Sequence, residues 1–183
     1  MPPFDRPATY DDLVRVPDHL MAEIVEGELH AEPPPPPGVA GSASALAALL
    51  LRWPGGGRGP DSWQILPGPE LRLGAHVVVP AVAGWRLSRL PELPAESYFS
   101  VPPDWVCEIV SSGSASLRAR KMYVYAAENV SHAWLIDPVA RSLEVRSVEN
   151  GRWIVRAIHS GSTLVRAEPF EAMELSLAPL WPR

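Results

Sequence analysis

The fold follows from one apolar run that is typical of a buried β-strand, Trp105-Val106-Cys107-Glu108-Ile109-Val110. A helical pattern over Ser116–Glu128 comes next, and a second apolar strand is predicted over Ala133–Ile136. A strand, a helix and a strand in that order require a crossover connection. The sequence therefore predicts a parallel pair of strands at the centre of a β-sheet, with a helix packed against it.

Shorter elements surround this unit. The patterns predict a helix capped by Thr9 and Asp12, a hairpin of Met21–Val25 with Glu28–Glu32, a buried alanine- and leucine-rich helix over Ser42–Arg52 that is stopped by Pro54 and three glycines, short strands at Trp63–Leu66, Glu70–Leu73 and Val77–Val79, a helical turn near Arg86–Leu90, and a hairpin of Ser142–Val148 with Arg152–Ile158. We expect an α+β fold in a single domain over residues 1–183. Its mixed β-sheet would be parallel near the middle and antiparallel at the margins, with flanking helices.

The proline run Pro33–Pro37 is stiff and extended, and it is unable to join the interior of a sheet. A run of this kind serves either as a rigid connector or as a ligand for a proline-reading module. Inside a domain the connector is the commoner role, so we expect it here.

Composition limits the classes of function. Cys107 is the only cysteine, so no intramolecular disulfide can form, and the start of the chain has no export signal. The longest apolar stretch, 43–51, is too short to span a membrane, and we expect a cytoplasmic protein. A net charge of −5 argues against strong nonspecific DNA binding, although Arg118, Arg120 and Lys121 form a local basic patch.

Glu108 is the first candidate for chemistry. Strand alternation places it on one face with Val106 and Val110, and it is the only ionisable group in its apolar run. Burying an unpaired carboxylate costs several kcal/mol, so a cation, hydrogen bonds, a metal or solvent must compensate it. A structural ion pair at the strand end and a metal-binding or catalytic carboxylate both remain open.

Two further positions accompany Glu108. Lys121 lies on a mostly apolar face of the following helix, where a lysine is more often a surface residue with a buried stem than a catalytic group. Ala81 follows the strand Val77–Val79 and Pro80, at a strand end of the kind that often displays a functional side chain. Alanine offers only a methyl group there.

Taken together, these segments resemble the Uma-two (Uma2) family of restriction endonucleases, within the broad PD-(D/E)XK nuclease superfamily. The resemblance covers nearly the whole chain and rests on six segments in order: Thr9–Leu13, Ala22–Leu29, Val79–Arg86, Pro103–Ser111, Lys121–Ala126 and Ala133–Pro138. It implies a restriction-endonuclease-like core. In such nucleases an aspartate and a glutamate bind magnesium, and the metal and a lysine activate the attacking water.

By this resemblance Glu108 is the retained metal carboxylate, Lys121 the retained cation and Glu23 a supporting acid. The chain departs from the family at three positions. Ala81 replaces the metal-binding aspartate, Leu117 stands where relatives carry an aspartate, and Val39 stands where they carry a histidine. Magnesium needs oxygen ligands, so these losses predict weak or absent hydrolysis.

Three functions therefore stay open. The first is a metal-dependent endonuclease that acts on DNA, with Glu70 or Asp104 as a replacement ligand and magnesium as cofactor. The second is a binding or assembly domain that keeps the nuclease fold and needs no cofactor. The third is a purely structural protein that forms homo-oligomers. The last draws on Trp- and Leu-bearing strands near the C-terminus.

Overall fold

The computed structural model describes residues 6–52, 62–110 and 115–181. Its helices are α1 (Tyr10–Val14), α2 (Pro37–Leu51) and α3 (Ala115–Ala127), with a 3-10 helix at Ala178–Leu180. The strands are β1 (Met21–Val25), β2 (Glu28–Glu32), β3 (Trp63–Pro67), β4 (Leu71–Leu73), β5 (His76–Val78), β6 (Val82–Arg86), β7 (Trp105–Ile109), β8 (His132–Asp137), β9 (Ser142–Glu149), β10 (Arg152–Ser160), β11 (Leu164–Val165) and β12 (Leu175–Ser176). No helix in these ranges is long and apolar enough to cross a membrane.

The strands form three sheets where one mixed sheet was expected. Six strands lie in the order β10-β9-β8-β7-β6-β3, four in the order β2-β1-β5-β4, and β11 pairs with β12. The predicted parallel pair is β7 with β8, joined through α3, and the other ladders in the described part of the chain are antiparallel. The α+β class and the crossover are confirmed.

The two faces of β7 point into two different cores. Trp105 and Cys107 pack with Trp134 and Phe170 on one face, where the Trp105 and Phe170 ring centroids lie 5.1 Å apart. Val106 packs on the other face with residues of α3, including Tyr125. Glu108 shares the face of Val106, as the alternation predicted. The fold thus directs this carboxylate toward α3.

Both predicted hairpins are confirmed. Glu26 and Gly27 turn β1 into β2 with φ values of 52° and 77°, and Asn150 and Gly151 turn β9 into β10 with φ values of 50° and 73°. Two consecutive residues of positive φ are the hallmark of a type I′ turn, whose twist matches the flanking strands. The first of these hairpins contains Glu23, one of the candidate site residues.

Helix α2 differs from the prediction. It begins at Pro37, five residues before Ser42, so the extended part of the proline run ends at Pro36. Proline suits the first helical position because its φ is already helical and no N–H is needed there. Only one face is buried, whereas Leu51 is 59% exposed, so the expectation of a fully buried helix was wrong. Pro54 and the three glycines lie outside the described residues.

Strand β6 was not predicted, because Gly84 interrupts its apolar pattern. The strand pairs with β3 on one side and β7 on the other. A Cβ added at Gly84 would lie 2.8 Å from Ile65 Cδ1 and 3.1 Å from Trp63 Cε3. The glycine therefore permits the close packing of large side chains over the sheet.

A matched pair of glycine substitutions tests this packing. We expect Gly84→Ala to lower the free energy of unfolding by about 1–3 kcal/mol, since the core is overpacked there. Gly41 lies within α2 with no atom within 4 Å of an added Cβ, so Gly41→Ala should raise it by about 0.5–1 kcal/mol. Urea denaturation measures both, and equal changes would contradict the packing argument.

Candidate functional site

A cleft of about 300 Å³ brings the predicted site residues together. Its lining includes Glu23 from β1, Glu108 from β7, Lys121 from α3 and Ala81 just before β6. The four-stranded sheet supplies Glu23, and the six-stranded sheet supplies Glu108. The cleft therefore lies where the two sheets and α3 meet.

Glu108 is 8% exposed and its Oε1 atom has two partners. The Tyr125 hydroxyl donates to it at 2.7 Å, and the Lys121 ammonium lies 2.9 Å away. Burial raises the pKa of Glu108, and the positive charge of Lys121 opposes that rise without cancelling it. The position of Glu108 is compatible with a structural ion pair and with a catalytic carboxylate, because its ion pair with Lys121 lies inside a cleft.

Lys121 is the only lysine in the sequence, and it is 4% exposed. Its three ammonium protons have three acceptors: Glu23 Oε1 at 2.8 Å, Glu108 Oε1 at 2.9 Å and the Val79 carbonyl oxygen at 3.0 Å. Burial lowers the pKa of Lys121, but the two carboxylates outweigh it and leave the pKa raised. The expectation of a surface lysine was wrong, since its partners come from distant parts of the chain.

Glu23 completes the charged base of the cleft. Its Oε1 also accepts the Val79 backbone N–H at 2.6 Å, so the residue after β5 is bonded through both N–H and C=O to this group. Every hydrogen bond on Glu23 and Glu108 within the described residues uses Oε1, and Oε2 of each accepts none. Two carboxylates and one ammonium leave one net negative charge.

Ala81 precedes β6 and lines the cleft together with Glu108. The antiparallel register pairs Val82 with Cys107 and Ala83 with Val106, so Ala81 comes just before this paired segment and Glu108 just after it. A carboxylate at position 81 would therefore face the same cleft as Glu108.

The two other positions of departure line the same cleft. Val39 comes from α2 and Leu117 from α3, one turn before Lys121. Together with Ala81 they place three apolar side chains, from three separate parts of the chain, in the lining of the cleft. Among residues 6–52, 62–110 and 115–181, no three His, Cys, Asp or Glu side chains are grouped so as to hold a metal ion.

The proposed replacement ligands do not reach the cleft. Asp104 accepts the Arg86 backbone N–H at 2.8 Å and pairs with Arg89 at 2.8 Å. Glu70 pairs with Arg72 at 2.8 Å. Neither side chain lines the cleft. The hypothesis that one of them supplies the missing ligand is wrong for this structure.

The predicted basic patch is also absent from α3. Arg120 forms ion pairs with Glu26 and Glu28 of the first hairpin, and Lys121 is buried. Arg118 lies at the cleft. Arg120 thus faces the first hairpin, whereas Arg118 and Lys121, three positions apart on the helix, both face the cleft, and the three residues do not form one surface.

Sequence reasoning missed several residues of the site. Tyr125 has a visible signal, because it lies four residues after Lys121 on the same helical face. The Val79 backbone groups have none, since backbone atoms leave no trace in residue type. His30 and Glu32 also line the cleft, because β2 carries them on the same face of the sheet as Glu23.

Comparisons with known proteins agree with the fold. The sequence model of the family described as Uma2, putative restriction endonuclease, matches residues 7–179. The crystal structure of a putative nuclease belonging to DUF820 from Anabaena variabilis has a TM-score of 0.75 at 20% sequence identity, and the match covers 96% of this chain and 98% of that one. No curated protein matches the chain. The structural likeness shows the fold, and the family match extends over most of the sequence: the chain belongs to the Uma2 family of putative restriction endonucleases.

Proposed function

We propose that the protein keeps the nuclease fold but has left metal-dependent phosphodiester hydrolysis, and that its cleft serves binding. One observation carries the proposal. The Lys121 ammonium lies between Glu23 and Glu108, at 2.8 and 2.9 Å, and engages an oxygen of each carboxylate that would have to face a metal. In this arrangement the lysine forms ion pairs with both acids that hydrolysis would need and offsets one of their two negative charges.

The set of donor atoms does not fit magnesium. Magnesium takes six oxygen ligands at near-octahedral angles and prefers carboxylates, substrate phosphates and water. Here Ala81 contributes only a methyl group to the cleft that Glu108 lines, and Val39 and Leu117 add only hydrocarbon. No step of a hydrolytic mechanism is assigned to this site.

The charges in the cleft also disfavour a phosphodiester. Glu23, Glu32 and Glu108 contribute three negative charges, and Arg118 and Lys121 contribute two positive ones. A phosphate entering this field without a bridging metal is repelled, since like charges are poorly screened in a partly buried site. DNA as a partner thus remains without support from the cleft.

Plasmid nicking tests the proposal directly. We expect no relaxation of supercoiled DNA above the EDTA background with magnesium or manganese, and the same low rate for Glu108→Gln. Glu149→Gln, on the exposed end of β9, controls for loss of a carboxylate elsewhere. Metal-dependent nicking by the wild type that disappears in Glu108→Gln but persists in Glu149→Gln would show a working nuclease and refute the proposal.

An assembly role is a second candidate, and the edge of the large sheet favours it. Strand β10 is an outermost strand, and its Ile154, Val155 and Ile158 side chains are exposed, the last by 66%. Exposed apolar edge strands pair readily with another chain. The Trp153 side chain of the same strand makes an internal contact, because its indole N–H donates to the Met122 carbonyl at 2.7 Å. Light scattering of the purified protein decides whether homo-oligomers form.

A further inference from the structure

We propose that the cleft binds a small organic monocation with an apolar body, of the class of arylalkyl or alkyl amines. The ammonium would be directed at the free oxygens of Glu23 and Glu108. This inference rests on the proposed binding role and names the ligand class for the same cleft. Three features carry it: the charge at the base, the chemistry of the walls and the size of the cavity.

The base of the cleft has an unmet negative charge. Lys121 donates to the Val79 carbonyl at 3.0 Å and forms ion pairs with Glu23 and Glu108 at 2.8 and 2.9 Å, so its charge is already directed at the protein's own oxygens. Each carboxylate keeps its Oε2 atom without a hydrogen bond from the described residues. A charged hydrogen-bond donor is the group that these oxygens lack.

The walls of the cleft are hydrocarbon. Residues from the proline run, α2, α3 and the end of β7 surround the base: Pro33, Pro35, Val39, Ala43, Ile109 and Leu117. A hydrated inorganic cation gains no binding free energy from such walls, because it has no apolar surface to bury. An organic cation buries its apolar body against them while its charged end reaches the carboxylates.

The cavity volume limits the ligand to a small molecule. At about 300 Å³ the cleft lies at the lower end of the range for small-molecule sites. An anion of the same size is disfavoured, because Lys121, the one buried cation among the described residues that line the cleft, is already paired with Glu23 and Glu108. At the outer wall, Glu32 offsets the charge of Arg118, so the net charge of the lining stays negative.

Three probes with one body and different heads test the head-group preference: 2-phenylethylamine, 2-phenylethanol and phenylacetate, all in EDTA at pH 7. Because Lys121 is the only lysine, labelling lysine with ¹³C at Cε gives one side-chain signal at the base of the cleft. We expect the amine to shift that signal and to bind at least tenfold more tightly than the alcohol, with no saturable shift for phenylacetate.

Substitutions of Leu117 separate charge from shape. Leu117→Lys adds a positive charge one turn before Lys121 and should weaken amine binding at least tenfold, whereas the neutral Leu117→Gln removes apolar wall without adding charge and should weaken it at least threefold less than Leu117→Lys does. Glu23→Gln removes the excess charge, keeps the Glu108–Lys121 pair, and should also weaken binding at least tenfold.

Equal binding of amine and alcohol, preference for phenylacetate, no shift with any probe, or equal effects of the two Leu117 variants would each overturn the inference. The loss of hydrolysis and the binding of an amine are refuted by different results. Metal-dependent nicking refutes the loss of hydrolysis whatever the amine does, and these titrations in EDTA judge the amine site alone.

Discussion

Replacing Lys121 by methionine is expected to lower the free energy of unfolding by about 3–5 kcal/mol, the usual result of removing one partner from a buried ion pair. Methionine keeps most of the unbranched stem but leaves Glu23 and Glu108 without the cation that lies between them. Both carboxylates are nearly buried, so water restores little of the lost interaction. Such a loss is a large share of the stability of a domain.

Urea denaturation at 15 °C measures the change, with Arg120→Met as the control because its ion pairs are more exposed. The double variant Lys121→Met/Glu108→Gln should recover about 1–2 kcal/mol, since one uncompensated charge is gone. A Lys121→Met variant as stable as Arg120→Met would contradict the role given to the buried lysine.

The same residue gives a pH dependence of definite sign. The pKa of Lys121 is raised in the folded state, so its contribution is fully present below the ordinary lysine pKa of about 10.4 and is lost as pH rises above it. Above pH 10, stability should therefore fall less steeply in Lys121→Met than in the wild type. Burial also raises the pKa of Tyr125, which leaves some alkaline loss in both proteins.

Ala81→Asp is expected to give the protein a stabilising response to magnesium or manganese that the wild type lacks. Position 81 lines the same cleft as Glu23 and Glu108, so the new side chain adds a third carboxylate to that cleft. A ligand present at about 100 times its dissociation constant stabilises the folded state by about 2.7 kcal/mol. Thermal unfolding with increasing metal measures the response.

Ala81→Asn is the matched control, because it has nearly the same shape without the charge, and it should show no metal response. Adding Glu108→Gln to Ala81→Asp should remove the response again. If the Asp and Asn variants behave alike toward metal, position 81 is not the metal-binding position and the site assignment fails. Plasmid nicking by Ala81→Asp would further indicate that the rest of the machinery is intact.

The sequence predicts contacts between neighbouring residues of this site better than contacts between residues that are far apart in the chain. The period of two along β7 correctly separated Glu108 from Cys107, because alternation is a property of neighbouring residues. The burial of Lys121 was missed, since its partner Glu23 comes from the first hairpin and no local pattern links the two. Resemblance to a family supplied Glu23 as a candidate, and only the fold supplied its contact.

The misses in the fold have local causes of the same kind. Gly84 hid strand β6, because its role is to make room for Trp63 and Ile65 from the neighbouring strand. Pro37 was assigned to a connector, although the first helical position accepts proline readily. In both places the residue type is ambiguous and the tertiary neighbour resolves it.

The Lys121 side chain also links the two larger sheets. Glu23 belongs to the four-stranded sheet and Val79 follows strand β5 of that sheet, Glu108 belongs to a central strand of the six-stranded sheet, and α3 holds the ammonium between them. Loss of either ion pair would remove a contact between the two sheets at this point. A widening of the cleft that separates the sheets here would have to break one of these ion pairs, so the width of the cleft and the charges at its base are linked.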